Sequence, residues 1–174
     1  MKSGFQRAGF YAFLVIVLVL VVDFRSPGNT LIALTPLVMG VILSLGVMGL
    51  FGLPLNPANM IAFPLVLGVG VDNGVHVLHD YRSRPRGRSY ALGPAVGRGV
   101  LVAALTTILG FATLLTARHR GMESLGLALT LGVTFCMVAA LVWLPAVLRL
   151  LDDRERRAAA GEPRVLPLDR ARAA

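Results

Sequence analysis

One carboxylate in this sequence stands where a carboxylate is costly. Asp72 lies within Gly68-Val69-Gly70-Val71-Asp72-Asn73-Gly74-Val75-His76-Val77-Leu78-His79-Asp80-Tyr81, which continues a long apolar stretch. An ionised carboxylate at bilayer depth costs several kcal/mol unless a partner or water reaches it. On a helix turning about 100° per residue, Gly68, Asp72, His76 and His79 fall within about 80° of one another. A titratable group at depth, followed by two imidazoles along one stripe, has the shape of a proton path.

A second apolar segment offers partners. Thr106 and Thr107 follow Arg98 by eight and nine residues, much as Asp72 precedes Tyr81 by nine. Both sites would therefore lie roughly 12–14 Å in from the same boundary. The expectation is that the third, fourth and fifth apolar segments pack together with Asp72 near a threonine hydroxyl. Gly68, Gly70 and Gly74 on one segment and Gly110 on the next are the small residues that would let helix backbones approach. Gly126, Thr130 and Thr134 repeat at intervals of four and could do the same.

Blander readings stand beside these. An intramembrane Asp can serve assembly alone, and His79 with Asp80 fits a solvated helix edge. For His76, relay and structural partner are equal readings. A threonine in a helix commonly bonds its own backbone. The spacing His76-x-x-His79-Asp80 could ligate a metal, but the third histidine, His119, falls in a turn at the opposite end, so no metal or cofactor is expected. No nucleophile, base and acid can be assembled at one depth, which argues against an enzyme. The single Cys136 sits inside an apolar run and reads as packing, and Trp143 as an interfacial anchor.

The elements that must position these residues follow from composition. The chain has 174 residues, 56% of them hydrophobic, and a mean hydropathy of +0.74. That is too apolar for a soluble domain of this size. About twenty apolar residues cross a hydrocarbon core of roughly 30 Å. The expected fold is an all-α, polytopic transmembrane bundle with five spans at about 5–22, 30–51, 58–80, 99–117 and 122–148. Residues 151–174 would be an Arg/Ala-rich tail, frayed helix and then disorder. The net charge of +8 does not indicate nucleic acid, because the basic residues lie between apolar segments. Arg25, the five arginines from Arg82 to Arg98 and the seven from Arg149 onward fall on one side; Lys2, Arg7, Arg118 and Arg120 fall on the other. The positive-inside rule then places the C-terminus in the cytoplasm and the N-terminus outside. Such a start is expected of a fragment whose preceding helices are missing.

Asp23-Phe24-Arg25-Ser26, Leu53-Pro54-Leu55-Asn56, Gly68-x-x-x-Asp72, His79-Asp80-Tyr81-Arg82 and Leu105-Thr106-Thr107-Ile108-Leu109-Gly110-Phe111 together resemble the C-terminal membrane half of the resistance-nodulation-division (RND) superfamily. Within it the likeness is to MmpL-type lipid exporters, hopanoid exporters in particular. The resemblance implies that the five spans correspond to the eighth to twelfth helices of a twelve-helix transporter in a bacterial inner membrane. It implies proton-driven lipid export, with Asp72 as the proton-coupling carboxylate working with Thr106 and Thr107; the helical stripe adds His76 and His79 to that proton relay. The partners it implies are an absent N-terminal membrane half, periplasmic domains, a lipid substrate and protons, with homo-oligomerisation open. Asn73 departs from relatives that carry a second acidic or an aromatic residue there. A non-transporting lipid-binding or assembly module, resembling a sterol-sensing domain, is the alternative; it predicts lipid binding that ignores a proton gradient.

Overall fold

The structure, a computed structural model, describes residues 2–53, 56–84 and 90–161. These residues form a helical bundle: α1 (Lys2–Phe24), α2 (Pro27–Leu50), the single turn α3 (Pro57–Met60), α4 (Ala62–Arg82), α5 (Pro94–Ala112), α6 (Arg120–Val138) and α7 (Leu144–Gly161). A 3₁₀ turn, Thr113–Thr116, extends α5, and a π-helical turn, Ala139–Trp143, joins α6 to α7.

Local chemistry sets the boundaries. Between α1 and α2 the chain reverses in two residues, with Arg25 left-handed at φ 48°. Ser26 is extended, and Pro27 opens α2 where a missing N–H is harmless. Inside α2, Pro36 frees the Ile32 carbonyl, and the Thr35 hydroxyl donates to it at 2.8 Å. The helix ends at Gly52, φ 63°, with Leu53 N–H on Met48 O and Gly52 N–H on Gly49 O. That pair of bonds satisfies the last carbonyls and requires the left-handed residue that glycine supplies.

Asn56 and Asn59 then cap α3 reciprocally, each side-chain oxygen accepting the other's backbone N–H at 2.8 and 2.9 Å. Both amides donate to the Ser124 hydroxyl of α6, at 2.8 and 3.1 Å. His119 caps α6 by accepting from Gly121 N–H. Pro145 follows the π-helical turn: the carbonyl that its missing N–H leaves free lies in that turn, and the local change of register accommodates it.

Three helices meet at α2, α4 and α6. A Cβ built on Gly40 would lie 2.5 Å from Cys136 Sγ and 2.7 Å from Cys136 N; one on Gly70 would lie 2.8 Å from the same sulfur and 2.9 Å from Leu37. A Cβ on Gly74 would meet Ala33 O at 2.6 Å, and one on Gly132 would meet Val66 at 2.6 Å. These contacts make α4 and α6 parallel to each other and α2 antiparallel to both. Gly126 lets α6 seat against Leu114 and Phe111 at the end of α5. Helix α1 lies at the edge, packed on α2 and α4.

Five long helical rods are therefore present, but three of them are long and apolar enough to cross a membrane by length and composition: α2, α5 with its 3₁₀ extension, and α6 continuing through α7. The apolar part of α1, Gly9–Phe24, is shorter, and α4 is interrupted by its own polar residues. Among the described residues, length and composition thus show three of the five expected spans. Of the tail expected to fray into disorder, residues 151–161 continue α7 as helix, and 162–174 lie outside the described residues.

Candidate functional site

The polar residues of α4 are set by the packing just described. Val66, Gly70, Asn73, Gly74 and Val77 are buried. Asp72 stands about 160° around the helix from Gly70 and about 100° from Asn73, so the buried face cannot include it. Its side chain is 69% exposed and that of His76 61% exposed, with His76 Nε2 3.5 Å from Asp72 Oδ1. The structure thus brings the predicted Asp72 and His76 together as an ion-pair contact along one turn. Beside them, α1 and α4 enclose a groove of about 380 Å³. Val15, Val19, Val71 and Val75 give it apolar walls, and Asp23, Asp72 and His79 are its ionisable members.

His79 is placed differently from expectation. It leans across to α1, its Nε2 2.8 Å from Asp23 Oδ2, and its ring lies against Phe24 with centroids 5.1 Å apart. The Arg82 guanidinium also sits over Phe24, 5.6 Å from the ring centre. The sequence reading used Asp23 only as part of a motif and missed this contact. Residues 56 apart leave no periodic signal; the one local hint was an acidic residue closing an apolar helix.

Neither Thr106 nor Thr107 is hydrogen-bonded to Asp72 among the described residues. Their hydroxyls donate to Val102 O at 2.8 Å and Ala103 O at 3.0 Å, on their own helix; Thr106 is exposed, and Thr107 is half-buried on the face that carries Val100 and Ala104. The expected meeting of Asp72 with a threonine hydroxyl is therefore corrected: α6 seats against α4 and α5 through Gly132 and Gly126, while Asp72 faces away from that seam. The glycine expectation divides as well. Gly74 packs against the Ala33 backbone and Gly70 against the Cys136 and Leu37 side chains, whereas a Cβ on Gly68 or Gly110 would meet nothing within 4 Å, because both face the open side of their helices. Asn73 is buried, and its amide nitrogen has no partner among the described residues.

At the end of α4 lies a second polar group. Asp80 accepts from the Tyr90 hydroxyl and from Gly93 N–H, each at 3.0 Å, and pairs with Arg84 at 3.2 Å. It thereby satisfies, from another helix, the backbone N–H of Gly93, the residue at the N-cap of α5. Burial, and then the hydrogen bond to Asp80, hold the Tyr90 phenol well above its ordinary range. Tyr81 donates to Asp152 of α7 at 2.7 Å, tying the two helix ends together. Among the described residues no three His, Cys, Asp or Glu side chains are grouped to hold a metal ion.

Along one side of α4 the arrangement gathers titratable side chains: Asp72 beside His76, and His79 beside Asp23. Comparison with known proteins agrees with a membrane assignment. The model of the MMPL family matches residues 1–167. The chain is 37% identical over 145 residues to membrane protein MJ1562 of Methanocaldococcus jannaschii, covering 80% of this chain and 37% of that protein. It is 34% identical to the hopanoid transporter HpnN of Rhodopseudomonas palustris and 33% identical to HpnN of Burkholderia multivorans, each over 146 residues, 84% of this chain and 16% of the relative. The chain thus spans between about a sixth and somewhat over a third of the length of these relatives. No solved structure matches it. With a family model matched over nearly its whole length, this chain belongs to the MMPL family.

Proposed function

We propose that this chain is a five-span membrane portion of a proton-driven lipid exporter of the bacterial inner membrane, with Asp72 as its proton-coupling carboxylate. Membership of the MMPL family places it in a transport class rather than among enzymes. Two relatives carry the name hopanoid transporter, which supports a hopanoid-like lipid as the substrate class. The observation that carries the reading is the Asp72–His76 pair, held off the packed core on the interrupted helix α4, with Asp72 bordering the α1–α4 groove.

In this reading Asp72 takes a proton from the periplasmic side. Neutralisation removes the cost of a charge at depth and lets α4 shift against its neighbours; loss of the proton through His76 and His79 resets the site. Thr106 and Thr107 join the relay when α4 and α5 are packed within the whole transporter. The distribution of arginines supports a cytoplasmic C-terminus and a periplasmic N-terminus.

The test is proton-driven lipid export by the full-length protein in liposomes. Asp72→Asn keeps shape and hydrogen bonding but cannot titrate, and export should fall to background. Intact export by that variant would remove proton coupling through this residue.

A further inference from the structure

We propose that Asp23, at the end of α1, is a positioning residue of the proton path: it fixes the His79 ring across the helix boundary and makes α1 the second wall of the path. The inference rests on the proton-coupled reading of Asp72. Its own basis is geometric. The Asp23–His79 contact of 2.8 Å joins the ring edge to α1, and Phe24, 1% exposed, covers the ring face. Arg82 in turn donates to Phe24 O at 3.4 Å. With Nε2 engaged by Asp23, Nδ1 is the nitrogen free to exchange protons.

Asp23, Asp72 and His79 border one groove whose other walls are apolar. Water entering it finds these three side chains as its polar lining, so they order any chain of waters. The step is proton transfer alone. The Asp72 carboxylic acid gives its proton to a groove water, and that water passes another to His79 Nδ1, leaving a carboxylate and an imidazolium. The imidazolium then releases the Nδ1 proton to solvent at the groove mouth. The Asp23 carboxylate stabilises the imidazolium by a charge-assisted hydrogen bond. The neighbouring charges are Arg25, two residues beyond Asp23, and those of α4 and α7. On α4 itself Asp80 is held by Arg84 and Tyr90, Arg82 by Phe24, and His76 by Asp72. Helix α2 carries no ionisable side chain, and Asp152 of α7 is taken by Tyr81.

The experiment measures export by the full-length protein in liposomes from pH 5 to 8, with ¹⁵N-histidine NMR of the His79 ring. Asp23→Asn should lower export about tenfold or more and change the shape of the pH profile, since the charge but not the acceptor is lost. The Nε2 proton resonance should move upfield with it. Asp23→Glu should restore most of the rate, and exchanging the pair, Asp23→His with His79→Asp, should recover export relative to either single change. The inference falls if Asp23→Asn leaves export unchanged, or lowers it equally at every pH, while Asp72→Asn abolishes it. If Asp72→Asn also leaves export intact, the proton-coupled reading falls and takes this inference with it.

Discussion

Two sides of α4 are built to opposite rules. The side bearing Gly70, Gly74 and Val77 is locked against α2 and α6 at distances that leave no room for a methyl group. The side bearing Gly68, Asp72 and His76 is open, touching α1 across a groove and closed mainly where Asp23 meets His79. Close packing transmits displacement because it cannot absorb it. An open polar side can change charge and shape without first unpacking a core. The contrast assigns chemistry to one side of a single helix and transmission to the other.

The largest expected effect comes from filling the locked side. Gly40→Ala places a methyl carbon against backbone atoms of Cys136, which cannot rotate away as a side-chain tip could. Stability should fall by about 3 kcal/mol, the upper part of the usual range for overpacking. Gly68→Ala adds the same methyl on the open side, where nothing lies within 4 Å. It should cost nothing, and could gain up to about 1 kcal/mol from the better helix propensity of alanine. Reversible unfolding in detergent mixtures compares the two variants directly; equal effects would abolish the distinction between the two sides.

Much of this was legible in the sequence, and the limit has a definite physical origin. Apolar runs revealed the helices, though the one expected from about residue 99 begins at Pro94, and a spacing of four placed His76 beside Asp72. Periodicity assigns residues to faces only relative to one another, however. On α4 valines surround the whole helix, so nothing local separated Gly70, which is locked, from Gly68, which is open. The meetings of Cys136 with Gly40 and of Asp23 with His79 depend on where other helices lie. The Asn56-x-x-Asn59 box was readable, since reciprocal capping needs only two polar side chains at that spacing.

That box gives a test of intermediate size, at the point where the locked side is anchored. Asn59 caps Asn56 and reaches Ser124, so it serves α3 and the start of α6 at once. Asn59→Ala should cost about 1–2 kcal/mol, the loss of a cap together with a buried polar contact. Ser124→Ala removes both amide contacts to α6, leaves the reciprocal cap in place and should cost less. If Ser124→Ala costs as much as Asn59→Ala or more, the interhelical contacts rather than the cap anchor this end.

The smallest effect concerns the end of α4, where the open side gives way to a sealed one. Tyr90 is 5% exposed and donates to Asp80. Both features favour the neutral phenol, so its folded-state pKa lies above the unfolded value of 10.0. The sign follows directly. Below pH 10 the phenol is neutral whether the chain is folded or not, and the stabilisation is fully present. Above it the unfolded state loses a proton that the folded state retains, so stability declines by up to about 1.4 kcal/mol per pH unit. Tyr90→Phe removes that slope. In absorbance titrations of the folded protein, subtracting the variant from the parent should leave no tyrosinate signal up to pH 11. A difference signal centred near pH 10 would mean that water reaches Tyr90, and the sealed end of α4 would then belong with its open side.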